Sequence, residues 1–230
     1  MPSPAEWQVV ALSIRVGAVA VLATLPIAYG IAWLLARRRF PGRILLDALV
    51  HLPLVLPPVV TGWLLLLAFG RTGPVGEWLQ DIFGVTLVFR WTGAALAAGV
   101  MALPLMVRAM RLSIEAVDRR LVGAARTLGA SPWHAFLTIT LPLSLPGIAA
   151  GAMLGFARAL GEFGATITFA SNIAGETRTL PLAVYSDLQL PGAESEVARL
   201  AIISILLSVG ALLASEWLVR RSAGGRAHVL

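Results

Sequence analysis

Between two long apolar runs lies the stretch "GAARTLGASPWHAFLTITLP", residues 123–142. It is too polar to cross a hydrocarbon core and lacks the Gly/Ser looseness of a plain linker. Placed on a helix at 100° per residue, Ile114, Val117, Leu121, Ala124, Ala125 and Leu128 share an arc of roughly 100°, with Arg119, Arg120, Arg126 and Thr127 outside it. That spacing predicts an amphipathic helix. Gly129 then supplies a left-handed cap, while Ser131 and Pro132 supply the N-cap and first residue of a second helix. The expected form is helix, tight turn, helix, feeding through "TITLPLSLP" into the next apolar run. Gly123, Ala124, Ala125 and Gly129 leave the backbone near the turn bare enough for another protein to approach. Patterning alone leaves a second reading open, in which the helix lies in the headgroup layer with its apolar stripe downward.

Working outward, the chain of 230 residues is 58% apolar and 13% charged, with a mean hydropathy of +0.84. A soluble domain is less apolar and more charged, so the expected class is an all-α polytopic membrane protein. Five apolar runs long enough to span cover about 9–35, 44–69, 92–110, 143–170 and 197–219. They leave a cytoplasmic segment at 111–142 and an outer loop at 171–196. The leader "MPSPAEW" carries Glu6 and no base, so the first run is expected to be retained as a span rather than cleaved.

All 18 basic residues are arginine. Arg37, Arg38, Arg39, Arg43, Arg108, Arg111, Arg119, Arg120, Arg126, Arg220, Arg221 and Arg226 fall on one side of the spans, against Arg71, Arg90, Arg178 and Arg199 on the other. The positive-inside rule then places the amino terminus outside and the carboxy terminus in the cytoplasm. Scattered over juxtamembrane ends, these arginines do not form the basic face of a nucleic-acid binder despite the net charge of +6. A phosphate-loop ATPase needs a lysine, and the chain has none. His51, His134 and His228 lie far apart and there is no cysteine, so neither a metal site nor a disulfide framework is expected, and no cofactor. A Gly-x-Ser-x-Gly elbow is also missing.

Within the spans, Pro53, Pro57 and Pro58 predict a kinked or opened second helix, as a passive bend or as part of a gate. Gly147, Gly151 and Gly155 recur every four residues and predict a close-packing face. Arg158 and Glu162 fall on that same face four residues apart, so they pair and face protein or a water-filled path rather than lipid. The pair reads either as structural glue or as part of a gate, with Gly161 and Gly164 able to let the helix bend. The chain shows no convincing internal duplication of the kind found in secondary transporters.

The opening stretch resembles the cytoplasmic signature of the membrane subunits of binding-protein-dependent ABC importers: Glu-Ala-Ala, three residues, Gly, nine residues, Ile-x-Leu-Pro. Ala124, Ala125, Gly129, Ile139, Leu141 and Pro142 match in register, and Gly123 stands where the family usually has Glu. Gly inside a helix costs about 1 kcal/mol relative to Ala. "FPGR", "HLPLVLPPVVTG", "PLMVRA", "RALGEFGATITFASNIAGETRTLP" and "ASEWL" are similar to the molybdate-importing branch, with tungstate and sulfate importers as close relatives. The resemblance implies that Gly123 to Ser131, with Ala130 at the turn, couple to a separate ATPase dimer on the cytoplasmic side. It also implies an external binding protein that delivers molybdate, a homodimer with the path on its two-fold axis, and residence in a bacterial inner membrane.

Overall fold

The computed structural model describes residues 3–224, the side chains of 215, 216 and 218–224 excepted. His228 and Arg226, used in the reading above, lie outside the described residues, and Arg220 and Arg221 are described by backbone alone. Among the described residues every regular element is helical. Helix α1 (Pro4–Arg37) opens on a capping box between Ser3 and Glu6. It is followed by α2 (Arg43–Val55), α3 (Pro58–Phe69), α4 (Pro74–Phe83) and α5 (Trp91–Glu115). Helices α6 (Arg119–Thr127) and α7 (Pro132–Ala135), with a π-helical turn at Phe136–Thr140, lead into α8 (Leu141–Leu160). The chain ends with α9 (Gly164–Ala170), α10 (Leu180–Asp187) and α11 (Glu194–Gly224).

Helix α5 is the hub. Its run of small residues, with Gly93, Ala94, Ala95, Ala97, Ala98, Gly99 and Ala102 all buried, lets neighbouring backbones close on it from several sides. Helix α1 packs along one flank through Val21, Ala28, Ala32 and Leu35, which share a core with Met106, Val107, Met110 and Ile114. Helix α8 packs on the other. A Cβ at Gly147 would sit 2.1 Å from the Ser113 Cβ, one at Gly151 would sit 3.1 Å from the Met106 carbonyl oxygen, and one at Gly155 would sit 2.7 Å from Met106 Cγ. That face of α8 has no room for a methyl group at Gly147 and is closely packed at Gly151 and Gly155. The Tyr29 hydroxyl and Ser144 Oγ, 2.8 Å apart, satisfy each other in the same dry layer.

Among the described residues, four helical stretches are long and apolar enough to cross a membrane: Pro4–Arg37, Trp91–Glu115, Pro132–Leu160 and Glu194–Ala214. The expected second span is instead two helices, α2 and α3, bent by 118°. Neither is long enough to cross alone, at about 20 Å each against a core of about 30 Å. The cause is local: Pro57 and Pro58 donate no amide hydrogen, so the ladder stops at Leu56 and restarts with Pro58 as the first residue of α3. Pro53 sits within α2.

Three further boundaries differ from the sequence reading. The expected span 143–170 is interrupted at residues 161–163, with α9 beyond the break. Its inner end starts earlier, because α7, the π turn and α8 form one continuous stretch from Pro132. The segment 111–142 begins later than expected, since α5 stays helical to Glu115. The segment 171–196, expected to be an outer loop, is no open loop. Leu180, Leu182 and Ala183 of α10 are buried, and the Leu180 amide donates to Ser13 Oγ of α1 at 2.7 Å.

Candidate functional site: the elbow between α5 and α8

Residues 116–142 form the elbow, and its shape follows from local chemistry. Helix α5 stops at Glu115, and Asp118 caps α6 by accepting from the Arg120 amide at 2.8 Å. This break divides the arc drawn from the sequence. Ile114 and Val117 are buried in the bundle, whereas Leu121 and Leu128 face outward.

The turn is a Schellman motif. The Ala130 amide donates to the Ala125 carbonyl at 3.0 Å and the Gly129 amide to that of Arg126 at 3.1 Å. Gly129 has φ +92°, a left-handed conformation that an L side chain resists. Ser131 Oγ accepts from the His134 amide at 3.1 Å, and Pro132 fills the first helical position. Ile139 lies in the π turn, and Leu141 and Pro142 open α8. Pro142 cannot donate to the Thr138 carbonyl and its ring crowds that group, so the helix widens there. The Leu141 amide reaches back to Phe136, a one-residue slip of the ladder.

The elbow is fixed firmly to the bundle. Arg37 Nη2 donates to the carbonyls of Ile114 and Val117 at 2.9 and 3.0 Å, tying the end of α1 to the end of α5. Phe136 meets Trp33 edge-on at 6.0 Å, Tyr29 at 6.1 Å and Trp133 in a stack at 5.3 Å. Its far side is bare. Leu128 is 88% exposed and Trp133 67%. A Cβ at Gly123 or Gly129 would meet nothing within 4 Å. The elbow is a capped turn, anchored to the bundle, whose apolar tip has no cover among the described residues.

The two helix breaks meet each other. A Cβ at Gly164, the first residue of α9, would lie 2.6 Å from the Pro58 Cβ at the start of α3. One at Gly62 would lie 2.7 Å from the Ala165 carbonyl oxygen. The structure thus brings Pro58 together with Gly164, while Pro53 stays within α2. Arg158 Nη2 and Glu162 Oε2 are 2.8 Å apart, with side-chain exposures of 27% and 1%. Glu162 Oε1 accepts from the Ala165 amide at 2.8 Å, so this carboxylate caps α9 as well as pairing. Gly161 ends α8.

Several contacts are not anticipated from the sequence, those between distant residues because nothing local marks them and the others although they fall at helical i,i+3 or i,i+4 spacing. Arg111 pairs with Asp47 at 3.2 Å and with Glu115 at 2.9 Å, joining α2 to α5. In the outer segment, Glu176 Oε1 accepts from the Trp91 amide at the start of α5, and Glu196 pairs with Arg199. His51 is turned onto Asp47, and no cluster of metal-ligating side chains occurs among the described residues.

Comparison with known proteins matches residues 26–224 to the family described as "Binding-protein-dependent transport system inner membrane component". The chain is similar to the molybdenum transport system permease protein ModB of Escherichia coli K12, at 61% identity over 96% of this chain and 97% of that one. It is similar to the protein of the same name from Haemophilus influenzae, at 57% identity over 94% of each. Among solved structures it resembles the bacterial alginate ABC transporter in complex with an alginate-bound periplasmic protein, with a TM-score of 0.72 at 19% identity over 95% of this chain and 80% of that one. That last likeness is one of fold.

Proposed function

The chain belongs to the family of binding-protein-dependent transport system inner membrane components, and from that premise we propose that it is the permease subunit of an ATP-driven molybdate importer. The observation that carries the reading is the elbow, a capped turn with its apolar tip uncovered. Molybdate as the cargo follows from the likeness to molybdenum permeases along nearly the whole length. Tungstate and sulfate, oxyanions of the same shape and charge, are the alternatives.

In this reading the bent pair α2–α3 counts as one broken span, making five. The amino terminus lies outside, and the carboxy terminus and elbow lie inside the bacterial inner membrane. Residues 123–131 sit in a groove of a separate ATPase, whose apolar surface covers Leu128 and Trp133. An ATPase dimer calls for two elbows, hence a homodimer of this chain with the path on its axis. An external binding protein delivers the oxyanion to the outer face.

ATP-driven closure of the motor draws the two Gly129 turns together. Because α7, the π turn and α8 are continuous, that motion reaches Gly161 and the contact between Pro58 and Gly164. Arg158 and Glu162, engaged with each other, hold this joint closed and do not retain the anion, since a conduit must let its cargo go.

The test is uptake into vesicles holding this chain, the ATPase and the binding protein, with molybdate, tungstate and sulfate in competition. ATP-dependent entry of molybdate ahead of the others is expected. Entry that persists without the ATPase and collapses with the proton gradient would instead make the chain an ion-coupled carrier.

A further inference from the structure

We propose that the inner end of α1 and the start of the elbow hold the phosphate of an anionic lipid headgroup. A cavity of about 590 Å³ lies there, lined by Arg37, Arg38, Arg39, Arg43, Arg119 and a single carboxylate, Glu115. That carboxylate is committed to Arg111 at 2.9 Å. Arg37 is committed to the carbonyls at the end of α5. The other four arginines have no ion pair among the described residues.

The helix geometry sharpens the imbalance. Arg43 is the first residue of α2, where Gly42 gives no side-chain cap and no acid occupies the first turn. Arg119 is the first residue of α6, whose own start is already capped by Asp118, so the unrelieved helix start at this cavity is that of α2. A cation at a helix N-terminus adds to the positive end of the dipole and is disfavoured. The positive-inside rule accounts for arginines at inner helix ends. It does not account for four unpaired ones converging on one cavity beside the uncapped start of α2, and an anion there relieves the arrangement.

The identity of the anion follows from the adjoining wall. A second cavity, of about 420 Å³, shares Arg37, Arg38 and Arg119 and adds Trp33, Val122 and Phe136. Trp33 also lies beneath the Arg38 guanidinium, 5.6 Å from it. A free phosphate would use the arginines alone. A lipid phosphodiester uses both surfaces, with guanidinium forks on its oxygens and its glycerol and first methylenes against the aromatic wall. The site rests on the inside placement of the elbow proposed above and not on transport.

Native mass spectrometry of the full chain, titrated with phosphatidylglycerol or with phosphatidylcholine, tests it. The wild type is expected to retain phosphatidylglycerol selectively. Each arginine contributes about fivefold in affinity, so R38Q/R119Q binds roughly 30-fold more weakly. R38K/R119K keeps most of the affinity, which separates loss of the site from loss of fold. R71Q/R90Q, at the other end of the molecule, is expected to bind as the wild type does.

Equal weakening in R71Q/R90Q and R38Q/R119Q, or none in R38Q/R119Q, overturns the proposal. So does displacement of the lipid by millimolar inorganic phosphate, which makes the site one for a free oxyanion. Displacement of the lipid by added ATPase subunit overturns it too, by giving the arginines to the protein interface. A chain that holds the lipid as expected yet imports no molybdate sinks the permease reading alone.

Discussion

Gly129 has open space around it and a backbone angle that only glycine adopts freely, so its demand is conformational and not steric. G129V imposes a cost of about 1–2 kcal/mol on the turn, enough to unwind the Schellman bonds without disturbing the bundle. The expected result is a chain that reaches the membrane and an ATPase that still turns over, with molybdate uptake lost. Full uptake in G129V would falsify the elbow's coupling role. Arg158 and Glu162 offer a second test, since the pair is unequally buried. R158Q leaves an enclosed carboxylate with only the Ala165 amide for company, and breaking a buried pair in this way costs about 3–5 kcal/mol. E162Q leaves the less enclosed partner, the guanidinium, unpaired, and an amide oxygen that still caps α9. R158Q is therefore expected to lower the thermal midpoint in detergent further than E162Q, and the reverse order would mean that the arginine is the desolvated partner.

At the scale of elements, the glycines of α8 and α6 separate by what surrounds them. A methyl group at Gly147 runs into Ser113, while one at Gly123 meets nothing. G147A should cost about 1–3 kcal/mol as α5 and α8 are pushed apart. G123A should be neutral or gain up to about 1 kcal/mol from helix propensity. Thermal unfolding of the two variants beside the wild type checks the order, and an unstable G123A would show that α6 packs more closely than its exposure implies. The same elements mark what the sequence made legible. Gly129, Ser131 and Pro132 act on amides within a few residues of themselves, so the elbow's turn and second cap could be read directly. So could the break at Pro57 and the small face of α8, whereas at Gly161 the sequence suggests a bend and the helix instead stops. The 118° bend could not, because Pro57 sets only its position; its size depends on α3 meeting α9 at Gly62 and Ala165, over a hundred residues away in the chain. Helix α10 was missed for the same reason, as its burial depends on Ser13 of α1 receiving the Leu180 amide.

At the scale of the whole molecule, a tightly packed centre is joined to a bare edge. Helix α5 is enclosed by α1 and α8, and under the proposed permease reading displacement applied at the elbow would pass through that packing into α8. In that reading the uncovered surface at Leu128 and Trp133 is where the ATPase docks, since burying side chains of that size is worth about 2 kcal/mol each. With no cysteine in the chain, A130C places a single thiol at the turn without background. It is expected to cross-link to a cysteine in the ATPase groove. Spin labels at A130C in the assembled complex should move closer together when a non-hydrolysable nucleotide is bound. A distance that ignores nucleotide, with the label instead quenched from within the headgroup layer, would mean that the elbow rests on lipid and that no motor pulls on these helices.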